Sequence, residues 1–436
     1  MRLGLPRASP VPEAPLLEPS ELPAVSSVLR LLCSAVCLAL AAYSALLTYT
    51  NYLFRKGTPS ALTEAIRLEP YNSTYISALA ALLPDQSPAL LRRAVALNPY
   101  DAQSWIQLGL QAETQQHNPA LAERDYLRAA AVNRMYLPRW TLANFYFRQQ
   151  DRDKFFEWAR RVLAVTPYEA TPLFVALWSM SSDQDRIAAA MPDREQVLLQ
   201  YASFLSQTNR LQFVNPIFDK AISLSPSGVP LSETNPGAPL PNPATAILDR
   251  FLQAGSVEQA LHFWRRLTAA HWLPPYSTPS PARPLTNGEF QLPLLGHGFD
   301  WSAPPFAGVT FDQFLDLGQI HFTFSGTQPE TCPLLVQYLP LQPGRRYRLS
   351  WTADMQQIGP ANGVTWRIDS FQNGSAVPIP TGLIGPDVTS GAEASWEFET
   401  PDSSRLFLIT LEYSRPIGKI RMEGSLSLRD VALTSL

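Results

Sequence analysis

Three spacings of apolar residues follow one another along the chain. Residues 31–50, LLCSAVCLALAAYSALLTYT, are almost continuously apolar and carry no charge. From about 58 to 272 apolar positions recur at helical intervals, and from about 287 onward they alternate with polar ones, as in strands. The pattern predicts a multidomain chain with one transmembrane helix, an all-α solenoid and an all-β sandwich. At about 1.5 Å per residue the apolar run covers roughly 30 Å, the thickness of a hydrocarbon core. Arg30 and the Arg55–Lys56 pair bracket it, and Tyr43, Tyr49 and Tyr52 lie toward its far end, where interfacial rings belong. The expected anchor is 26–54, preceded by a proline-rich, disordered tail over 1–25. The alternative is a signal peptide cleaved at Ala39-Leu40-Ala41; the length of the run and of the segment before it favours a retained anchor. Basic residues at the two ends nearly balance (Arg2, Arg7 and Arg30 against Arg55, Lys56 and Arg67), so charge alone does not orient the helix. A short tail before one anchor and a large remainder places the tail in the cytoplasm and, for a bacterial inner membrane, the bulk in the periplasm.

Within the helical stretch one phrase recurs: AIRLEPYN (65–72), AVALNPYD (94–101), AAAVNRMY (129–136), VLAVTPYE (162–169) and AISLSPSG (221–228). Pro70, Pro99, Arg134 and Pro167 are spaced by 29, 35 and 33 residues, and Pro226 follows 59 later. A period of about 34 marks a helix–turn–helix repeat. A large residue comes six positions after three of these points (Ile76, Trp105, Trp140), and Leu79-Ala80 and Leu108-Gly109 follow the first two. The small residue lets two helices approach, and the alanine five before the proline (Ala65, Ala94, Ala129, Ala221) does so from the second helix. The proline then ends that helix, because it removes a donor and clashes with the preceding turn. These residues resemble the tetratricopeptide repeat over 58–272, with LDRFLQAGSVEQALHFWRRL (248–267) as a last helical pair. The resemblance implies a surface for partner proteins, or else a spacer holding the C-terminal domain off the membrane.

A proline- and serine-rich linker is expected over 273–286, and a β-sandwich over 287–436. In RRYRLSWTADM (345–355), Tyr347, Leu349, Trp351 and Ala353 face one way and Arg346, Arg348, Ser350 and Thr352 the other. VTWRID (364–369) and SWEFET (395–400) alternate in the same manner, which places Trp351, Trp366 and Trp396 in the core. NGEF at 287, GFDW at 298, LQPGRRYRLSW in mid-domain and a last strand containing RDVAL together resemble a jelly-roll carbohydrate-binding module. That resemblance implies a glycan ligand stacked on aromatic rings. The candidates nearest strand ends and turns are Trp301, Tyr338, Phe371 and Tyr413, with Asp300, Asn362, Asp369 and Asn373 as polar partners. It also implies a structural calcium at Glu289 and Asp430, although Gln291 and Arg429 stand where the family commonly carries acids.

Composition narrows the chemistry. The net charge is −3 and only Lys56, Lys154, Lys220 and Lys419 are lysines, so nothing points to a nucleic-acid partner. Cys33 and Cys37 fall in the apolar run and leave Cys332 alone, so no disulfide framework is expected beyond the membrane. The histidines (His117, His262, His271, His297, His321) are scattered without metal-ligand spacing, and there is no phosphate loop or nucleophile elbow. No cofactor other than that calcium is expected.

The expectation is therefore a non-enzymatic, membrane-anchored adapter of the bacterial envelope. Its repeats would bind a partner protein and its β-domain a glycan, in polysaccharide assembly or export. The alternatives are a purely structural protein–protein scaffold, distinguished by whether rings are exposed together on one sandwich face, and a glycan hydrolase, which would need two close carboxylates in a cleft.

Overall fold

The computed structural model describes residues 27–224, 243–372, 375–377 and 383–436. The expected tail over 1–25, Pro226 with its surrounding proline-rich stretch, and Asn373 lie outside the described residues. The chain forms two compact units, divided between Arg134 and Met135.

The first unit holds α1 Ser27–Lys56, α2 Pro59–Leu68, α3 Ser73–Leu82, α4 Ser87–Leu97, α5 Ala102–Thr114 and α6 Pro119–Val132. Most of α1 is exposed, and among the described residues it is the one helix long and apolar enough to cross a membrane; a signal sequence has the same character. Its C-terminal turns do something else. Thr50 and Leu53 are buried against α2 and α3: Thr50 donates to the Glu69 carboxylate and Tyr75 Oη donates to Thr50 Oγ1. The boundary expected between 54 and 58 thus falls inside a packed core, and the end of α1 serves as first helix to α2.

The repeat logic is visible in the packing. Ala65, Ala94 and Ala129 have no exposed surface, and a Cβ added to Gly109 on α5 would lie 2.6 Å from the Tyr126 ring on α6. Helix starts carry side-chain caps: Asp101 accepts from the amides of Gln103 and Ser104, and Asn118 from that of Leu121. Helices α2 and α4 stop two residues before Pro70 and Pro99.

The second unit begins with α7 Tyr136–Arg148, α8 Arg152–Leu163, α9 Thr171–Met180, α10 Gln184–Ala189, α11 Glu195–Gln207, α12 Val214–Leu224, α13 Pro243–Gln253 and α14 Val257–Ala269. The wide gap between Pro167 and Pro226 is filled by α9 to α12, with α10 short, which is why the period is lost there. Both units carry antiparallel helix pairs in a tetratricopeptide-like arrangement.

Among the described residues the same unit ends in ten strands: β1 Val309–Phe314, β2 Gln319–Ser325, β3 Thr331–Pro340, β4 Arg346–Gln356, β5 Val364–Gln372, β6 Ser375–Val377, β7 Leu383–Asp387, β8 Gly391–Glu399, β9 Leu406–Ser414 and β10 Glu423–Ser435. One sheet has the order β1-β2-β10-β4-β8; in the other β3-β9-β5 continues to β6, and β7 also pairs with β5. All pairings are antiparallel. Without β1 and β6 the orders 2-10-4-8 and 3-9-5-7 are those of a jelly roll. Tyr347, Leu349, Trp351 and Ala353 face the core as their alternation predicts, and within it the Trp366 ring centroid lies 6.1 Å from that of Trp301 and 6.1 Å from that of Trp351.

The stretch expected to be a linker is packed instead. Leu273 and Tyr276 are buried, Trp264 Nε1 on α14 donates to the Ser277 carbonyl, and Tyr276 Oη donates to that of Pro293. The apolar residues among the prolines fasten the sandwich to α13 and α14. The loop containing GHGFDW completes the seam: Phe299 meets the Trp264 ring edge to face, and Asp249 on α13 accepts from Gly298 N at 2.9 Å.

Candidate functional site

The outer face of the sheet containing β3, β9 and β5 collects the polar and aromatic residues that the core rejects. Strand parity puts Phe407, Ile409, Leu411 and Tyr413 inward on β9, and so Leu408, Thr410 and Glu412 outward. The register places Tyr338 and Asp369 on either side of Leu408, and Val336 and Arg367 on either side of Thr410. Tyr338 meets Phe371 edge to face, with centroids 5.0 Å apart and planes at 90°. These two rings and residues from the helices (Asn209, Leu211, Arg250, Gln253, Ala254) line a cleft of about 350 Å³.

Arg367 organises the rest of this face. Its Nε donates to Asp369 at 2.8 Å and its Nη1 to both oxygens of Glu412 at 3.0 and 2.8 Å. Burial raises the Glu412 pKa; Arg367 opposes that rise, and the Asp369 charge adds to it. Burial also raises that of Tyr338, with a smaller push from the Asp249 charge. The two carboxylates share one guanidinium, the arrangement of a structural ion network more than of a separated acid and base. Thr410 Oγ1 is buried on this face with no hydrogen-bond partner among the described residues.

The candidate residues separate cleanly. Tyr338, Phe371 and Asp369 come together on this face. Trp301 and Tyr413 do not: both are fully buried in the sandwich core, so neither presents a ring to a ligand. The reason is parity for Tyr413 and, for Trp301, a chain path that folds under the sheets before β1. Asp300 is buried beside it and accepts from Leu295 N at 2.6 Å; burial pushes its pKa up to about 6. Asn362 is spent on the backbone, donating to the Val388 carbonyl and accepting from Val364 N. Asn373 lies outside the described residues. Arg250, Gln253 and Asn209 belong to the helical region, and nothing in β-domain alternation could have pointed to them.

Glu289 and Asp430 are brought close by the bond from Val431 N to the Gly288 carbonyl, where β10 carries a bulge and Asp430 adopts φ 53°. Both side chains are exposed, and Arg429 stands 4.0 Å from Asp430. Among the described residues no three His, Cys, Asp or Glu side chains converge as metal ligands. Calcium takes six to eight oxygens, so these two carboxylates would hold it only together with backbone carbonyls or water.

No protein-family model matches the chain, and no curated protein matches it. Solved structures are similar to parts of it. A structure of CBM4 is 14% identical, covers 34% of this chain and 98% of that one, with a TM-score of 0.26. The MamA protein is 15% identical over 42% of this chain and 91% of that one, with a TM-score of 0.29. YrrB, a TPR protein with an unusual peptide-binding site, is 11% identical over 49% and 93%, with a TM-score of 0.23. The class of the protein rests on its own geometry: tetratricopeptide-like helix pairs followed by a jelly-roll sandwich.

Proposed function

We propose that the protein is a non-catalytic adapter of the bacterial envelope, held in the inner membrane by α1 with its bulk in the periplasm. The helix pairs engage a partner protein, and the cleft between Tyr338, Phe371 and the helical rim takes a saccharide during polysaccharide assembly or export. The observation that carries this reading is the cleft itself. Two aromatic rings meet an arginine, a glutamine and an asparagine, the combination that stacks on a sugar and bonds its hydroxyls.

The test is affinity electrophoresis of the full chain in detergent through gels containing bacterial exopolysaccharides. Retardation that disappears in Tyr338→Ala and in Arg250→Ala supports the assignment. Free migration in every polysaccharide overturns it.

One observation favours a second reading, a scaffold without glycan. Asp369, Thr410 and Phe371 point outward yet keep only 3%, 1% and 7% of their surface exposed. On that reading the sheet face serves internal docking, and Tyr338→Ala would lower stability without altering migration in any gel.

A further inference from the structure

A second concavity lies far from the sheet face in character. It has a volume of about 580 Å³ and is lined by α8 and the short α10, with Arg139 from the start of α7. Four guanidiniums surround it (Arg139, Arg160, Arg161, Arg186) against one lining carboxylate, Glu157, in a chain whose net charge is −3. Its apolar part is Phe156 with Ala164, Ala189 and Ala190.

The arginines are held in place before any ligand arrives. Arg161 lies 4.3 Å over the Trp158 ring and pairs with Glu157 at 2.5 Å. Arg186 lies 4.6 Å over Phe156 and pairs with Asp153 at 2.5 Å. Arg139 Nη1 donates to the Arg161 carbonyl at 2.8 Å. Arg160 is exposed and lines the same groove. Ordered guanidiniums lose little freedom on meeting an anion, so carboxylates are well received here.

We infer that this groove takes an acidic segment of a partner protein carrying an apolar side chain such as leucine. The guanidiniums take its carboxylates, and the exposed methyl groups of Ala164 and Ala189 take the apolar side chain. A polysaccharide fits less well, because the floor offers no amide or hydroxyl to sugar hydroxyls. The inference deepens the partner-binding half of the proposed function and rests on it. It places the contact on α8 and α10.

The experiment uses the full chain in detergent and three short fluorescein-labelled peptides: leucines interspersed with glutamate, with lysine or with serine. Fluorescence anisotropy should report binding of the glutamate peptide alone, weakening as salt is raised. Arg160→Glu should weaken it by about tenfold, and Arg160→Lys by much less. Because Arg160 is exposed, neither variant endangers folding. Unchanged affinity in Arg160→Glu overturns the groove, as does displacement of the peptide by an anionic polysaccharide at equal charge. If the lysine or serine peptide binds instead, partner binding stands and this groove falls; if no peptide binds, both fall.

Discussion

His297 Nδ1 in the loop before β1 lies 2.6 Å from Asp249 Oδ2 on α13, while the other oxygen of that carboxylate receives Gly298 N. One side chain of the last helical pair thereby grips two consecutive residues of the sandwich. The hydrogen bond to Asp249 raises the His297 pKa above its ordinary 6.5, more than burial lowers it. A histidine with a raised folded pKa stabilises fully below 6.5 and loses that contribution as pH climbs through the raised value. Asp300 acts in the same direction lower down: its buried carboxyl holds its proton up to about pH 6 where the unfolded chain releases it near 3.8, so stability falls across that interval. Thermal stability of the second unit should therefore fall from about pH 4 to about pH 6 through Asp300, and fall further above pH 6.5 as His297 loses its proton. His297→Gln should flatten the upper part of the profile and Asp300→Asn the lower. A melting temperature that rises over this range would contradict both assignments.

Gly298 has no room for a side chain. An added Cβ would stand 2.2 Å from Leu248 Cδ2 and 2.8 Å from Trp264 Cζ3, and its φ of 67° is itself unfavourable to other residues. Gly298→Ala should cost about 1–3 kcal/mol, through overpacking and backbone strain together. Because the clash is at the seam, limited proteolysis should show faster cutting between Trp272 and Thr286 while each side of the seam keeps its own core. Unchanged protection of that stretch would mean that the seam does not depend on this loop.

The repeat geometry makes a parallel claim. Gly109 faces the Tyr126 ring so closely that Gly109→Val should destabilise the first unit by about 1–3 kcal/mol, visible as an earlier first transition on heating. Gly255, with nothing within 4 Å of an added Cβ, should tolerate bulk in space and object only through its φ of 67°.

How far such features can be read from the chain depends on whether local periodicity decides them. Ala65, Ala94, Ala129 and Ala221 are fully buried as their recurrence five residues before Pro70, Pro99, Arg134 and Pro226 implied, and the inward set on β4 follows strict alternation. Trp301 and Tyr413 show where the rule stops. An aromatic near a strand end can face either way, and only the pairing partner of β9 or the path of the loop decides which. The helical side of the cleft was illegible for a deeper reason. Tyr338 and Arg250 are brought together by the docking of α13 on the sandwich, and tertiary docking leaves no periodic trace in either segment. The stretch 273–286 looked like a linker by its prolines, while Tyr276 and Leu273, the residues that pack it down, are too few to form a pattern.

These placements set two aromatic substitutions against each other. Trp301→Ala removes a fully buried ring from the centre of the sandwich and should cost about 3–5 kcal/mol, enough to unfold it or lower its melting temperature severely. Tyr338→Ala touches a half-buried ring at the cleft and should leave far-ultraviolet circular dichroism unchanged while abolishing any retardation by polysaccharide. Loss of binding in Trp301→Ala therefore carries no information about the site unless the variant is first found folded.

The last prediction concerns the end of α1. A membrane helix joined to its domain by a flexible hinge would tolerate truncation of every side chain beyond the bilayer. Here Leu53 is buried among Leu62, Ile66 and Tyr75, and Thr50 is bonded to Glu69 from within the same helix. Leu53→Ala should destabilise the first unit by about 2–4 kcal/mol, the cost of a cavity in a small core. Hydrogen exchange of the chain in nanodiscs should then show α2 and α3 opening earlier, with α5 and α6 less affected. Equal protection in the wild type and Leu53→Ala would mean that the first repeat is complete without α1.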